Sequence, residues 1–499
     1  MAAAAPAAPA SPCGMSERSE SKPEGSVPFS LDGNGTAAPD ERGVVPAPSG
    51  ISAEVPEEQR VQRSLCSRLC GGMEINGLRH STITLVSTAL GGGMLSVCYV
   101  LSQAGLGLGL LMLMAGGSLA YISLAKLMEM STVTQLETYA ALFSHCAGPR
   151  AGPILDVMLF VYGNGSCVGY FVFLADFIPA VVSLFHLPAW CSSRETAIAF
   201  SIVVLMPLVL QKDISALRHF APISIGTLLY MAVVIAAQAP SLHQDHQDNP
   251  EYGPIEFFKP GLPALEAFSL CVFAFNCHLN VIPVAGRLQR PSKTRIVKVS
   301  WRVNALQLCL YAIIGVSGYL SFLKQTRGDI IKNYAADMPF VVFGRVMLSG
   351  TMFVAIPLNL HPTIRSAMQI RDYLRRARGP SLLEERGASS PVGRLGRRNT
   401  MIIEAELLQS DGFRVTMTVC CILVQAALAV MVPGVAVVLS LMGATVATAM
   451  MLTIPAYCIG VVLPRTRKSI AQQALLYTFS VVSAMAVPCQ ILRWCHVIK

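Results

Sequence analysis

Eleven long apolar runs, near 82–101, 106–128, 153–181, 196–211, 221–239, 264–285, 303–323, 339–361, 413–432, 434–463 and 471–492, limit what this chain can fold into. Each approaches the roughly 20 residues that a helix rising 1.5 Å per residue needs to cross a hydrocarbon layer of about 30 Å. Inside such a layer the backbone N–H and C=O groups must be satisfied within the segment, so the runs read as α-helices. Charged residues are only 13% of the 499, against about 25% in soluble domains, and they gather between the runs. The expected fold class is an all-α polytopic membrane protein with about eleven transmembrane helices.

The basic residues test that count, because cytoplasmic loops carry Lys and Arg in excess. From an inward N-terminus, every second loop is the basic one. These loops hold Lys126 and Arg150, then Lys212 and Arg218, then Arg287, Arg290, Lys293, Arg295, Lys298 and Arg302, then Arg365 to Arg398, then Arg465, Arg467 and Lys468. The opposite loops are poorer in base: HQDHQDNPEYGPIE at 243–256 is acidic and 324–338 is mixed. The N-terminus is therefore expected inside and the C-terminus outside. The same alternation accounts for the net charge of +9 without a nucleic-acid partner.

Residues 1–75, rich in Ala, Pro, Ser, Gly and Glu, read as a disordered cytoplasmic tail, with no h-region of a cleaved signal. Residues 76–499 form the transmembrane domain, with 363–412 a long basic cytoplasmic loop in which Thr400 follows Arg397-Arg398. The 15 cysteines contain no CxxC pair; Cys66 and Cys70 lie just before the first run, and most others lie inside apolar runs, where thiols pack as small hydrophobes.

Two runs carry features that a lipid-facing helix avoids. The first contains Ser87-Thr88-Ala89-Leu90-Gly91-Gly92-Gly93-Met94. Three successive glycines make a regular helix costly and a backbone break cheap. A break at membrane depth is tolerated where the freed groups line a cavity or bind a ligand, although small residues also serve close helix packing. The sixth run contains Phe273-Ala274-Phe275-Asn276-Cys277-His278-Leu279-Asn280 ahead of Pro283. Three polar side chains there point to the bundle interior and to a substrate or ion path. Runs one and six are five apart, the spacing of two inverted five-helix repeats with an eleventh helix appended. The N-terminal ends of half-helices suit a carboxylate, and unwound carbonyls suit an ammonium or sodium ion. Among ionisable groups, His278 and Glu266 are the candidates for proton coupling. Asp156, Asp176, Arg345 and His361 read as groups near span ends, and His243, Asp245 and His246 as a solvated outer loop.

At these residues the chain resembles a known family. STALGGGMLSVCYVLSQAGLGLG is similar to the first span of the amino acid/auxin permease family. FAFNCHLNVIPVAGRLQRPSKTRIVKVSWRVNALQLCLYAIIGVSGYLSF resembles the sixth and seventh spans of its sodium-coupled neutral amino acid transporter branch. ALRHFAPISIGTLLY and IPLNLHPTIRSAM add weaker matches, and the resemblance covers roughly 75–495. It implies a leucine-transporter-like fold of 5+5 inverted repeats plus one helix, and amino acid transport by alternating access. It also implies that Gly91, Gly92, Gly93, Met94 and Leu95 hold the substrate carboxylate, while Phe273, Phe275, Asn276 and Cys277 hold the amino group and shape the side-chain pocket. Sodium-using members place an Asn four residues before the first motif glycine and a Thr two residues before the eighth-span proline. Here those positions are Ser87 and Ala355, and Ala355 offers no side-chain oxygen. Thr88, Ser349 and Thr351 are the residues that would have to compensate.

The expected function is secondary active transport of amino acids, coupled to protons or sodium, by a monomer in a plasma or acidic organelle membrane, without a cofactor. A sensor that binds an amino acid in the same pocket and signals through its tail or loop is the rival. An intramembrane enzyme is not expected, because no GxSxG, HExxH or paired-aspartate motif is suitably placed in the runs.

Overall fold

A computed structural model describes residues 77–89, 91–211, 221–377 and 395–494; the expected tail, with Cys66 and Cys70, and the middle of the basic loop lie outside them. The described part is all-helical apart from turns and connections. Nine of its helices are long and apolar enough to cross a membrane, making it a multi-pass integral membrane protein; a bent pair, Leu78–Thr88 with Gly92–Ala104, makes a tenth span if counted as one. The helix that separates this count from the expected eleven is Arg194–Leu210, which at 17 residues is shorter than the roughly 20 of an ordinary span. At 1.5 Å per residue it is about 25 Å long, which lies at the lower limit for a span.

The elements run in chain order as α1 (Leu78–Ala89), a 3-10 turn (Gly92–Ser96) and α2 (Val97–Ala104), which together are the first span. There follow α3 (Leu106–Thr134), a short connecting helix α4 (Tyr139–Ala147), α5 (Ala151–Val182), α6 (Arg194–Leu210) and α7 (Ala221–His246). The sixth span is α8 (Leu262–Ala274), an interruption, and α9 (Val281–Arg287). Then come α10 (Lys293–Phe322), α11 (Pro339–Ala377) and α12 (Leu395–Met431). The tenth span is α13 (Val435–Met442), two π-helical pieces and α14 (Ile454–Val462), and the chain closes with α15 (Arg467–Ala484) and α16 (Ala486–Trp494). Helices α11 and α12 run on into both ends of the stretch 363–412 that the sequence reads as loop.

Burial separates the centre from the rim. In the sixth span 72% of the most apolar stretch is buried and in the tenth 61%, against 33% in Asp411–Met431 and 22% in Arg467–Leu492. The sixth span therefore threads the middle, where α8 packs on α2, α3, α13 and α15. Around it, α5 packs along α11 and α12, while α10 lies along α1, α2, α3 and α7.

The tenth span departs from the regular helix that its unbroken apolar run leads one to expect. Gly443–Ala447 and Ala449–Thr453 are π-helical, a wider winding found at functional sites. Its loosened carbonyls find side-chain donors: within the span the Thr448 hydroxyl donates to the Gly443 oxygen at 2.6 Å, and from outside it the Tyr139 hydroxyl of α4 donates to the Met450 oxygen at 2.6 Å. Gly443 sits against the Ser269 carbonyl of α8 so closely that a Cβ would collide with it.

Because backbone cannot swing aside as a side chain can, Gly443→Ala is expected to cost about 1–3 kcal/mol by overpacking. Gly226→Ala, in α7 where nothing lies within 4 Å of the added methyl, serves as the control. Thermal denaturation of the purified proteins in detergent reads the difference, and equal melting temperatures would refute the close approach.

Candidate functional site

The glycine triplet breaks the first span as the sequence leads one to expect. α1 and the helix beginning at Gly92 meet at 58°. Gly91 is extended at φ −134° and ψ −158°, and the 3-10 turn Gly92–Ser96 that follows is wholly buried. The first N–H groups of any helix lack intrahelical acceptors and carry its positive pole, so this turn presents donors at the break. Steric fit explains two of the glycines. A Cβ on Gly92 would lie 2.6 Å from Phe173 Cε2, and one on Gly93 would lie 3.1 Å from the Ala274 Cα. Gly93 thereby presses the first break onto the end of α8.

The sixth span interrupts its helix at the same level. After Ala274 the chain passes through Phe275, Asn276 and Cys277 before a 3-10 turn, His278–Asn280, leads into α9. The Ala274 carbonyl accepts from the Tyr311 hydroxyl of α10 at 2.8 Å. Phe275 is fully buried and meets the Tyr311 ring edge-on at 5.0 Å. Asn276 Oδ1 accepts from the His278 backbone N–H at 3.3 Å and lies 3.2 Å from His278 Nδ1. An Asn accepting from the amide two residues on builds the turn locally, which is how the chain leaves one helical segment and enters the next. His278 is fully buried, and its Nε2 has no hydrogen-bond partner among the described residues.

Of the expected substrate residues, the structure sets the Gly92–Ser96 turn, with Met94 and Leu95, against α8, Gly93 facing Phe273, while Phe275 packs its ring beside Gly116 and Gly117 of α3 and Tyr311 of α10, and Asn276 lies beside Tyr162; Met94, Leu95 and Cys277 are buried. The expected ion residues do not converge in the same way. Ser87 and Thr88 donate their hydroxyls to Thr84 and Leu85 carbonyls of their own helix, at 2.8 and 2.9 Å. Thr351 donates to Met347 at 3.0 Å and Ser349 to Arg345 at 2.8 Å. α1 packs chiefly on α7, α9 and α10, whereas α11 packs on α5, α6, α7 and α12. Glu266 is half-buried on α8, two turns before the interruption.

Tyr162, Ser166 and Tyr170 on α5, around the breaks, were missed by the sequence reading. Tyr162 on α5 sets its ring 5.8 Å from Phe273, and its hydroxyl lies beside Asn276 and Ser166. Tyr170, two turns further on, places its hydroxyl 3.7 Å from where a Gly91 Cβ would sit, beside Asn359 of α11. One face of α5 thus serves both breaks. The available signal was a hydroxyl at every fourth position, Tyr162, Ser166 and Tyr170, which at helical periodicity forms a polar stripe inside an otherwise apolar run.

The histidines of the 243–256 stretch are not a solvated cluster. His243 and His246 set their Nδ1 atoms 2.9 and 2.7 Å from the Leu320 and Ser321 carbonyls at the end of α10, and His246 stacks on Tyr252 with ring centres 3.9 Å apart. His361 places Nε2 3.1 Å from the Gln211 carbonyl.

The model of the family described as transmembrane amino acid transporter protein matches residues 76–492. A putative amino acid transporter AAT1 of Toxoplasma gondii is 33% identical over 336 residues, covering 67% of this chain and 45% of that one. Vacuolar amino acid transporter 6 of Saccharomyces cerevisiae is 26% identical over 406 residues, covering 76% and 89%. Putative sodium-coupled neutral amino acid transporter 11 of Bos taurus is 28% identical over 292 residues, covering 57% and 61%. The chain spans about half the length of several of these relatives, 45% and 48% for the AAT1 proteins of Toxoplasma gondii and Plasmodium falciparum. The crystal structure of MhsT in complex with L-phenylalanine aligns at a TM-score of 0.45 and 12% identity, covering 83% of this chain and 98% of that one.

Asn276→Ala removes the acceptor that serves both the backbone N–H and the ring of His278. A buried donor left unpaired costs about 1–3 kcal/mol. The expected result is a lowered melting temperature, with Asn276→Asp closer to the parent because it keeps the acceptor oxygen. An alanine variant as stable as the parent would show that the turn does not depend on this side chain.

Proposed function

The chain belongs to the transmembrane amino acid transporter protein family, and on that premise we propose that it carries amino acids across a membrane by alternating access, binding them between its two interrupted spans. The observation that carries this reading is the meeting of the Gly92–Ser96 turn with the end of α8, because it gathers both kinds of backbone pole at one place. The N–H groups opening the first-span turn suit a carboxylate, and the unwound carbonyls around Phe275 to Cys277 suit an ammonium group. Such poles compensate the charges of a zwitterion without a charged side chain.

The side chains around the breaks are Met94, Tyr162, Tyr170, Phe273 and Asn276, none of them charged, which favours neutral amino acids over cationic ones. A cationic side chain would need a carboxylate partner to offset its desolvation. Tyr162 and Tyr170 on α5 orient the substrate through their hydroxyls while the two broken spans move against that helix. The orientation inferred from the basic loops puts the N-terminus inside and the C-terminus outside. A vacuolar transporter stands among the relatives named above, so an organelle membrane is consistent with this chain, as is a plasma membrane.

Coupling to protons fits the residues better than coupling to sodium. Sodium takes its ligands from oxygen, yet Ala355 contributes none from its side chain, and α1, which carries Ser87 and Thr88, packs chiefly on α7, α9 and α10 rather than on α11, which carries Thr351.

Uptake of a labelled amino acid panel into proteoliposomes, with proton and sodium gradients imposed separately, tests the reading. Saturable uptake of neutral amino acids driven by protons alone is expected. A requirement for sodium would overturn the coupling assignment, and saturable binding without flux would point to a sensor instead. Tyr162→Phe, which deletes one hydroxyl at the site, is expected to raise KM about fivefold, equivalent to about 1 kcal/mol, with little change in protein stability.

A further inference from the structure

The connection between α10 and α11 is a built cap rather than a slack loop. It turns at Leu323, whose φ is 45°, and continues through a 3-10 turn, Ile330–Asn333, that touches the first-span turn Gly92–Ser96. Ile330 and Ile331 are fully buried. Gly328 packs so closely on Ala436 of α13 that an added Cβ would lie 2.6 Å from the alanine Cβ. Two cations anchor the cap. Arg345 of α11, 4% exposed, donates to the Ile331, Tyr334 and Ala336 carbonyls at 3.1, 3.0 and 3.2 Å. Lys332 reaches Asp176 of α5 at 2.9 Å, on the same carboxylate oxygen that Arg194 approaches at 3.5 Å. One short connection is thereby tied to the first, third, eighth and tenth spans.

Asp329 lies at the base of this cap, 3% exposed. Its Oδ1 accepts from the Ile331 N–H at 3.1 Å, while its Oδ2 is buried with no hydrogen-bond partner among the described residues. The groups that face it are Asp176 from α5, Cys98 from α2, Arg345 from α11 and Lys332 on its own turn. Asp176 is itself held by Lys332 and Arg194, so its neighbours are already engaged. An ionised carboxylate with one oxygen dry and a second carboxylate nearby is costly to bury, and a proton removes that cost.

We propose that Asp329 is a proton-binding site of the transporter: it takes a proton from the water on the cap side when the cap closes over the first-span break, and returns it when the cap opens. This rests on the transport reading above and adds where a proton acts. The physical chemistry agrees in sign. Burial, and after it the Asp176 charge, lift the Asp329 carboxyl to about 7 in the closed cap, against the downward pull of the Ile331 amide, Lys332 and Arg345. In an open, hydrated cap it returns towards the ordinary value of about 3.9. Protonation therefore favours closure. The closed-to-open ratio falls by up to about tenfold per pH unit between about 4 and 7 and is flat above and below.

Hydrogen–deuterium exchange of the 326–338 segment in the reconstituted full chain, corrected for intrinsic exchange rates from pH 5 to 8, tests the site alongside uptake at each pH. In the parent, protection is expected to fall as pH rises to 7. In Asp329→Asn, which keeps the Oδ1 acceptor but cannot ionise, protection and uptake are expected to lose that dependence. Profiles that coincide with the parent's would overturn the proposal. Should Asp329→Asn fail to purify as a single species, Asp176→Asn, which removes the facing charge yet keeps an oxygen for Lys332, is expected to move the transition to lower pH; an unmoved transition overturns the proposal equally. Absence of uptake in the parent would sink the transport reading alone, because the exchange measurement still reports whether Asp329 controls the cap.

Discussion

Every departure from regular helix in this molecule has to satisfy backbone carbonyls that neither water nor the helix ladder serves. That requirement decides where the chain can be irregular. The Ala274 carbonyl, freed where the sixth span stops, receives the Tyr311 hydroxyl. The Met450 carbonyl, loosened by π winding, receives the Tyr139 hydroxyl from a connecting helix, and the Gly443 carbonyl receives Thr448. The carbonyls ending the cap are gathered by the single guanidinium of Arg345, whose five donors in a fixed fork suit such a task. The Tyr311 and Tyr139 hydroxyls and the Arg345 guanidinium come from outside the segments they serve and the Thr448 hydroxyl from within its own span, so the breaks are fixed features rather than frayed ends.

Close packing follows from the same arrangement. Where helices are interrupted, their neighbours approach to backbone distance, and glycine stands where a side chain would collide: Gly92 against Phe173, Gly93 against Ala274, Gly443 against the Ser269 carbonyl. These contacts join the first, third, sixth and tenth spans around one region. A shift at one break must therefore be felt at the others, since packed interiors switch between discrete arrangements more readily than they deform continuously. The third span, with tyrosines facing both breaks and α11 packed along its length, is the part against which such a shift would be referenced.

Much of this was legible in the sequence, and the exceptions share a cause. Long apolar runs and alternating basic loops announce the class, because a hydrocarbon layer constrains length and composition directly. The Gly91-Gly92-Gly93 triplet and the Asn276-Cys277-His278 run announce two breaks, because both are expensive in an ordinary span. The π winding at Gly443–Thr453 leaves no such mark. Its cause lies in packing against α8, in the Tyr139 donor from α4 and in the hydroxyl contact of Thr448 with Ser483 of α15, which periodicity within one run cannot display. Tyr162 and Tyr170 were visible as a stripe, yet their role depends on which helices lie opposite. Asp329 sits in a connection that reads as mixed polar sequence; only the third dimension brings Asp176 and Arg345 beside it.

The distribution of charge ties these observations together. The substrate residues named at the junction of the first and sixth spans, Gly91 to Leu95 with Phe273, Phe275, Asn276 and Cys277, include no Asp, Glu, Lys or Arg, so a zwitterion there would meet backbone dipoles and hydroxyls. The cap is different, for it places two carboxylates and three cations around the connection that covers the first-span break. Where pH acts on this molecule through Asp329, it acts on the balance of open and closed cap rather than on the affinity of the pocket. Recognition and the response to pH would then reside in separate places, linked by the direct contact between Ile330–Asn333 and Gly92–Ser96, so that the pocket could be altered for another substrate without disturbing the response to protons.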